Sequence, residues 1–155
     1  MTRAPLIIER GDPLAPGARA LLQASHDLMR AEFPPEDNYF LDFEALKSAH
    51  VHFFIARRGG QVLGTGALAE MDGYGEVKSM FCAPEARGRG VGDAILRQIE
   101  DHARSLRLPL LRLETAESLA AAVRLYARHG FAPCGRFGDY QPNDTSYFME
   151  KALTS

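Results

Sequence analysis

The feature of this 155-residue chain that most restricts its fold is a glycine-rich basic segment at residues 87–92, RGRGVG. It follows apolar residues that favour a strand at 77–82, and it precedes an apolar periodicity that predicts a helix over 91–106. The first turn of a helix leaves backbone N–H groups unpaired at the positive end of the helix dipole. Glycine lets an anion approach these groups, and arginine adds charge-assisted hydrogen bonds. The segment therefore predicts a phosphate-binding turn, and the alternative is a solvated flexible turn.

Two common phosphate-binding motifs do not fit this segment. The dinucleotide-binding fingerprint requires a glycine three positions after Gly90, where the chain has Asp93. The P-loop requires a glycine followed by lysine and then serine or threonine, and residues 87–92 contain no lysine. No acidic pair that could hold a metal ion lies near the turn. A phosphate-binding nucleotide enzyme is therefore disfavoured.

Length, charge and cysteine content limit the class of protein. The length predicts one domain over residues 1–155, and the formal net charge of -2 disfavours a nucleic-acid partner. No apolar run approaches the roughly 20 residues that cross a bilayer, so no membrane partner is expected. Cys82 and Cys134 lie in apolar surroundings and the first residues do not resemble a signal peptide, so we expect reduced thiols and a cytoplasmic protein. Histidines and cysteines lack metal-ligand spacing, so no metal is expected.

Hydrophobic periodicity and turn residues predict a mixed sheet with helices. Gly59-Gly60 is typical of a hairpin turn, and Asp72-Gly73 of another, which makes the strands around them an antiparallel meander. The strand, helix and strand order that follows implies a parallel pair. The strands are expected at 6–8, 51–57, 61–69, 75–82, 110–115, 131–135 and 146–151, and the helices at 21–33, 42–47, 91–106 and 119–129.

With these elements in place, the chain resembles the GCN5-related N-acetyltransferases (GNAT), a family that moves an acetyl group from acetyl-CoA to an amine. The family motif is Arg or Gln, two residues, Gly, one residue, and Gly or Ala; Arg87, Gly90 and Gly92 match it. The segments LET at 113–115 and AVRLYARHGF at 122–131 resemble the second half of the cofactor site. The resemblance covers nearly the whole chain. It implies an α+β (mixed α/β) fold with about seven mostly antiparallel strands, one splayed parallel pair and about four helices.

The resemblance also implies where acetyl-CoA binds. The N–H groups of residues 88–93 would hold the pyrophosphate, and the backbone of residues 80–82 would pair with the pantetheine arm in the gap between the splayed strands. Leu119 stands where many relatives have Asn or Gln, so one polar contact is expected to be missing, with at most a modest loss of affinity. The expected cofactor-binding residues are Met80, Phe81, Cys82, Arg87, Gly88, Arg89, Gly90, Val91, Gly92, Asp93, Leu119 and Tyr126.

Two residues are expected to move protons. An alkylammonium with a pKa of about 10.4 must lose a proton before it attacks a thioester, and the resemblance offers Glu76 as the acceptor. The alternative is that Glu76 pairs with Lys78, two residues on and on the same strand face. Tyr126 matches a tyrosine that protonates the departing thiolate, and its alternative role is to satisfy a buried neighbour.

The acceptor is expected where the first loop meets the C-terminal hairpin. Acidic and aromatic residues in these loops suit a cationic amine, although loops are also acidic simply to remain solvated. A small amine, an amino acid and a peptide lysine all stay open as acceptors. The candidate residues are Glu36, Asp37, Asn38, Tyr39, Phe137, Asp139 and Tyr140.

The predicted function is N-acetylation of a primary amine by direct attack in a ternary complex, with acetyl-CoA and no metal. The alternative is a non-catalytic acyl-CoA-binding or regulatory module of the same fold. Glu76 and Tyr126 together favour an enzyme over that module. A homodimer is compatible with either function.

Overall fold

The computed structural model describes residues 4–153, and it places their seven strands in one mixed sheet in the order β1-β2-β3-β4-β5-β7-β6. Residues 1–3 and 154–155 of the predicted domain lie outside the described residues. The strands are β1 (Leu6–Arg10), β2 (Val51–Arg58), β3 (Gln61–Glu70), β4 (Gly75–Cys82), β5 (Leu110–Ala116), β6 (Ala132–Pro133) and β7 (Ser146–Ala152). The helices are α1 (Pro16–Glu32), α2 (Phe43–Leu46), α3 (Val91–Ser105) and α4 (Ala120–Arg128).

The sheet joins an antiparallel half to a parallel pair. Strands β1 to β4 are antiparallel neighbours, β4 and β5 are parallel, and β7 lies antiparallel between β5 and β6. Helix α3 makes the crossover between β4 and β5, as a parallel pair requires. The predicted mixed fold, with its meander, its parallel pair and four helices, is confirmed.

Alternating side chains divide the core between the two sheet faces. On β2, Phe54 and Ala56 pack into the cluster that includes α3, whereas Phe53 packs into a second cluster with α1. Helix α3 presents Val91, Ile95 and Ile99 to the first cluster, at the spacing of one helix face. Complete burial of one such aliphatic or aromatic side chain contributes roughly 1.5–3 kcal/mol. Helices α3 and α1 therefore cover opposite faces of the sheet.

Element ends differ from the predictions in a few places. The strand predicted at 131–135 is only Ala132–Pro133, because proline has no N–H to continue the ladder and the chain leaves the sheet after Cys134 N–H donates to Phe148 O at 2.9 Å. The polar segment after α1 contains a short 3₁₀ turn, Pro35–Asp37. Asp42 caps α2 as predicted, with its carboxylate accepting from the Ala45 N–H at 2.8 Å.

None of the helices within residues 4–153 combines the length and the apolar character that a bilayer crossing requires.

Candidate active site

Strands β4 and β5 are paired over only part of their length. Their parallel register covers residues 75–77 of β4 and residues 111–113 of β5. Beyond this point β4 stays paired with β3 as far as Cys82, and β5 stays paired with β7 as far as Ala116. The two strands therefore diverge, and their facing edges have no ladder partner in the described chain.

A bulge at Ser79 accompanies the divergence. Thr65 pairs with Phe81 and Ala67 pairs with Lys78, so β4 carries one extra residue over this interval. Ser79 has a positive φ of 57°, a conformation that costs a non-glycine residue about 1–2 kcal/mol. The hydroxyl of Thr65 donates to the Ser79 carbonyl at 2.8 Å and holds the bulge. Strain of this kind is often retained at functional sites.

A cavity of about 140 Å³ lies at the gap between the two strands. Strand residues just past the last parallel pair form its middle, helix α1 bounds it on one face of the sheet, and helix α4 bounds it on the other. The cavity therefore passes through the plane of the sheet. Its lining residues are Ser25, Met29, Phe33, Asp37, Asn38, Tyr39, Phe40, Val77, Lys78, Ser79, Met80, Glu114, Thr115, Ala116, Leu119, Ala122, Tyr126 and Thr145.

The glycine turn leaves its main chain open at the start of α3. Gly88 and Gly90 have positive φ values of 77° and 79°, and a Cβ built on either would have no heavy atom within 4 Å. Gly90 caps α3 without a side-chain hydrogen bond, and the first helical bond runs from Ala94 N–H to Gly90 O at 3.0 Å. The preceding amides have no acceptor within the helix, and exposed Arg87 and Arg89 flank them. This cradle fits the group that the sequence predicts.

Packing and ion pairing occupy the side-chain positions of Val91, Gly92 and Asp93, which leaves only their backbone for a ligand. The Val91 side chain is buried in the core, and a Cβ on Gly92 would lie 3.2 Å from Leu125 Cδ2, so glycine allows α4 to pack closely. The Asp93 carboxylate accepts hydrogen bonds from His129 Nε2 at 2.8 Å and from Arg128 at 3.0 Å. The His129 bond, more than the Arg128 bond, lowers the pKa of Asp93. The Asp93 side chain thus ties α3 to α4.

The predicted contacts for the pantetheine arm lie around the gap. Met80 and Leu119 line the cavity, and the Leu119 backbone caps α4 without a side-chain hydrogen bond. The Phe81 ring lies beneath the Arg87 guanidinium, 6.0 Å from ring centroid to Cζ. Burial raises the pKa of the Cys82 thiol, which disfavours a thiolate nucleophile at this position.

Tyr126 enters the cavity from the α4 face. The residue is 6% exposed, and its ring meets Phe131 edge-on at 5.9 Å between centroids. Burial raises the pKa of the Tyr126 hydroxyl, and the nearby Cys82 and Glu114 raise it further. The hydroxyl is therefore held in its neutral, proton-donating form.

Glu76, the predicted proton acceptor, is not among the residues that line the cavity. It is 5% exposed, its Oε2 lies 3.4 Å from Lys78 Nζ, and the same oxygen accepts a hydrogen bond from the Tyr140 hydroxyl. Lys78 Nζ also donates to Tyr140 Oη at 2.8 Å and to Tyr39 O at 3.0 Å. This arrangement favours the alternative in which Glu76 pairs with Lys78, because Lys78 and Tyr140 hold its carboxylate outside the cavity lining.

Glu114 is the titratable residue that the sequence reasoning missed. It lies on β5 one residue past the last parallel pair, and its side chain lines the cavity. Its Oε2 accepts a hydrogen bond from Ser146 Oγ at 2.6 Å. Burial raises the pKa of the Glu114 carboxyl, against the opposing effect of the Ser146 bond. The sequence signal that could have identified Glu114 is that it is the carboxylate of the LET segment, which resembles part of the cofactor site.

The candidate acceptor residues fall into two groups. Asp37, Asn38 and Tyr39 line the cavity, whereas Glu36 and Asp139 are exposed and are not among its lining residues. Phe137 and Tyr140 are also absent from the lining, at 8% and 7% exposure. Their rings pack in a separate aromatic cluster, because neighbouring rings from Tyr74 and β7 cover them. The cluster comprises Tyr74, Phe137 and Tyr140, with Tyr39, Leu110, Cys134 and Phe148 packed against it. Of the two loops, the first thus contributes more of the predicted residues to the cavity.

Comparison with known proteins agrees with this geometry. Residues 18–131 match the model of the acetyltransferase (GNAT) family. The chain is 42% identical to an IAA acetyltransferase of Azospirillum brasilense over 148 residues, covering 94% of this chain and 97% of the relative. It is 37% identical to the N-acetyltransferase YedL of Escherichia coli over 149 residues, covering 94% of each.

A solved structure of an acyl-CoA N-acyltransferase from Klebsiella pneumoniae superimposes with a TM-score of 0.80 at 30% identity, covering 96% of this chain and 98% of that one. The family match spans the glycine turn, the splayed strands and the helix of Tyr126, and the structural match covers 96% of the chain. The chain therefore belongs to the acetyltransferase (GNAT) family, and it is an acetyl-CoA-dependent acetyltransferase.

Proposed function

We propose that this enzyme transfers the acetyl group of acetyl-CoA directly to a primary amine in a ternary complex, with Glu114 as proton acceptor and Tyr126 as proton donor. The observation that carries the proposal is the cavity that crosses the sheet, with Glu114 on a strand at its middle and Tyr126 on the α4 face. Two substrates that enter from opposite faces would meet there. Holding both reactants in one site is a large source of rate enhancement.

The residues that would hold acetyl-CoA lie on the α3–α4 side. Amides of residues 88–93 suit the pyrophosphate, with Arg87 and Arg89 adding charge. The free edge of β4 from Met80 to Cys82 suits the amides of the pantetheine arm. Acetyl-CoA supplies an activated acetyl thioester when bound. Leu119 offers an apolar contact in place of the amide side chain that many relatives have.

Glu114 is suited to remove the proton from the incoming amine. Deprotonation of an alkylammonium at pH 7 costs roughly 4–5 kcal/mol, so a proton acceptor within the cavity assists the attack. One carboxylate oxygen is held by Ser146, and burial raises the pKa of the carboxyl toward the range of effective bases. Glu76 is less suited, because it does not line the cavity and its Oε2 already contacts Tyr140 and Lys78.

Tyr126 is suited to return a proton to the thiolate that leaves. Reference pKa values of about 10 for tyrosine and 8.5 for a thiol make this transfer uphill by roughly 2 kcal/mol. Burial raises the pKa of Tyr126, which makes the transfer harder still. The hydroxyl therefore assists departure without being indispensable.

A direct assay tests the proposed function. The enzyme is incubated with acetyl-CoA and a panel of amines, thiol release is followed optically, and products are identified by mass spectrometry. We expect amine-dependent thiol release, N-acetylated products and intersecting initial-rate lines when both substrates are varied. Parallel lines together with an acetylated enzyme in the absence of amine would instead show a covalent intermediate, and no release with any amine would refute the proposal.

A further inference from the structure

We propose that the acceptor is a slender diamine or polyamine, a primary amine whose distal group is a second ammonium rather than a carboxylate. This inference rests on the proposed function of the same cavity, and it narrows the three acceptor classes left open by the sequence. It is carried by the charges that line the cavity and by the loops that bound it.

Two carboxylates of the cavity have unused acceptor capacity. Asp37 Oδ2 accepts from Thr145 Oγ1 at 2.7 Å, and Glu114 Oε2 accepts from Ser146 Oγ at 2.6 Å. Within residues 4–153, no protein donor hydrogen-bonds to the other oxygen of either carboxylate. Both residues line the same cavity, so a ligand with donors at two ends could satisfy both.

The positive charge at the cavity, that of Lys78, is already neutralised by protein groups. Lys78 is the sole lysine or arginine among the described residues that line it. Its ammonium has three hydrogens, and Tyr39 O, Tyr140 Oη and the Glu76 carboxylate surround it at 3.0, 2.8 and 3.4 Å. The charges of Lys78 and Glu76 cancel each other, which leaves Asp37 and Glu114 as the uncompensated charges.

The excess of negative charge in the cavity favours diamines over amino acids as acceptors. The carboxylate of an amino acid would face Asp37 and Glu114 with no spare cationic donor, and a poorly paired charge in a partly buried site is costly. An ammonium near Asp37 would gain a charge-assisted hydrogen bond while the reacting amine lies near Glu114. The rings of Phe33 and Tyr39 also line the cavity and offer faces to a cation. A second cation would also favour the charged, basic form of Glu114.

The loops favour a small acceptor over a polypeptide. The Asp37–Thr145 hydrogen bond joins the first loop to the segment before β7, and the rings of Tyr39 and Tyr140 meet edge-on at 4.8 Å between centroids. Gln141 N–H also donates to Tyr39 Oη at 3.4 Å. The Asp37–Thr145 bond joins two residues of the cavity lining, and the Tyr39 contacts tie the first loop to residues 140–141, so the two loops are held together and leave little room for an extended peptide.

Four probes with matched reactive amines test the inference: putrescine, n-butylamine, γ-aminobutyrate and a peptide with one internal lysine. At saturating acetyl-CoA, we expect kcat/KM for putrescine to exceed that for n-butylamine by about tenfold and that for γ-aminobutyrate by about 100-fold, typical of a gained and a mismatched charge-assisted contact. Equal or faster acetylation of γ-aminobutyrate, or a preference for the peptide, would overturn the inference while leaving the proposed function intact. Acetylation of none of the four probes would overturn the inference as well, and the wider amine panel would then decide separately whether the proposed function holds.

A substitution assigns the preference to the cavity. Asp37→Asn keeps an oxygen that accepts from Thr145, so the loops should stay joined, but it removes the charge. We expect the putrescine to n-butylamine ratio to fall about five- to tenfold, with thermal melting and acetyl-CoA affinity retained. The matched control is Glu32→Gln, which removes an exposed charge at the end of α1 outside the cavity lining and should leave the ratio unchanged. An unchanged ratio in a folded Asp37→Asn protein would contradict the inference.

Discussion

The two sides of the sheet gap are built to bind their substrates by different means. On the α3–α4 side, main-chain amides at a helix start and two glycines with positive φ form the proposed donor site. On the α1 side, side chains from the first loop, β4 and β5 form the proposed acceptor site. A backbone cradle depends on a few adjacent residues, whereas a side-chain site depends on tertiary contacts. The proposed donor site therefore rests on local sequence, and the proposed acceptor site rests on contacts between distant segments.

A second difference, between the carboxylates of Glu76 and Glu114, lies within the sheet itself. Glu76 and Glu114 lie on neighbouring strands, one before and one after the point where the strands separate. Glu76 lies outside the cavity lining with its Oε2 against Tyr140 and Lys78, whereas Glu114 lines the cavity and its Oε2 accepts from Ser146. Under the proposed function, Glu76 supports the acceptor loops and Glu114 serves the reaction. The predictions that follow test this division from the largest expected effect to the smallest.

Glu114→Gln should produce the largest loss of rate. Gln keeps the Ser146 contact but cannot accept the proton, so we expect kcat to fall about 10²- to 10³-fold at pH 7.5, within the usual range for general base catalysis. The acid limb of the kcat/KM profile should disappear as well. Steady-state assays check both effects. The exposed neighbour variant Glu117→Gln should keep the wild-type rate, and a Glu114→Gln enzyme within threefold of wild type would exclude the assigned role.

Tyr126→Phe should have the next largest effect. Loss of the hydroxyl removes an uphill proton donor, so we expect kcat to fall about tenfold to several hundredfold while acetyl-CoA affinity changes little. Rate measurements combined with calorimetric binding separate the two quantities. If kcat falls much less with an acceptor whose acetylated product is released slowly, product release and not departure of CoA limits kcat for that acceptor. Complete loss of activity with intact acetyl-CoA binding would show that Tyr126 is indispensable, which would contradict our account.

Much of the fold and of the donor site could be predicted from local sequence. The apolar periodicity of α3, the paired glycines at 59 and 60 and the motif at 87–92 each specify a local conformation that the structure contains. The physical reason is that turns and helix starts are determined by residues close in sequence.

The acceptor side could not be predicted in the same way. The environment of Glu76 depends on Tyr140, which is distant in sequence, and the aromatic cluster that buries Phe137 also draws on separate segments. No glycine marks the positive φ of Ser79, so the bulge that accompanies the gap leaves little trace in the sequence. The LET segment resembles part of the cofactor site, but only the separation of β4 and β5 shows that Glu114 lines a cavity.

Gly90→Ala should weaken donor binding. Alanine at a φ of 79° costs about 1–2 kcal/mol, and the strain would be relieved by distorting the cradle, so we expect the Kd for acetyl-CoA to rise about tenfold. Isothermal calorimetry measures this change. Gly60→Ala is the matched control, because a Cβ there also meets open space but φ is not positive. Equal affinities for the two variants would argue against a backbone cradle.

Asp93→Asn should have the smallest effect. The pKa of Asp93 is lowered in the folded protein, first by the His129 hydrogen bond, so this carboxylate stabilises the fold above the ordinary carboxyl pKa and loses that effect as the pH falls through its lowered pKa. We expect a loss of about 0.5–1 kcal/mol at pH 7, as for a partly exposed pair, and a smaller loss at a pH below the ordinary carboxyl pKa. Thermal melts at both pH values decide this, and a difference that grows on acidification would have the wrong sign.

The most direct test of the central claim compares Glu114→Gln with Glu76→Gln in single-turnover acetyl transfer at saturating acetyl-CoA and amine. Our account predicts that Glu114→Gln loses at least about 100-fold in rate with unchanged melting, because its charge serves the reaction. It predicts that Glu76→Gln stays within about tenfold of wild type but is less stable by about 1–3 kcal/mol, because its charge balances buried Lys78. The opposite result, a slow Glu76→Gln enzyme and a fast Glu114→Gln enzyme, would contradict it.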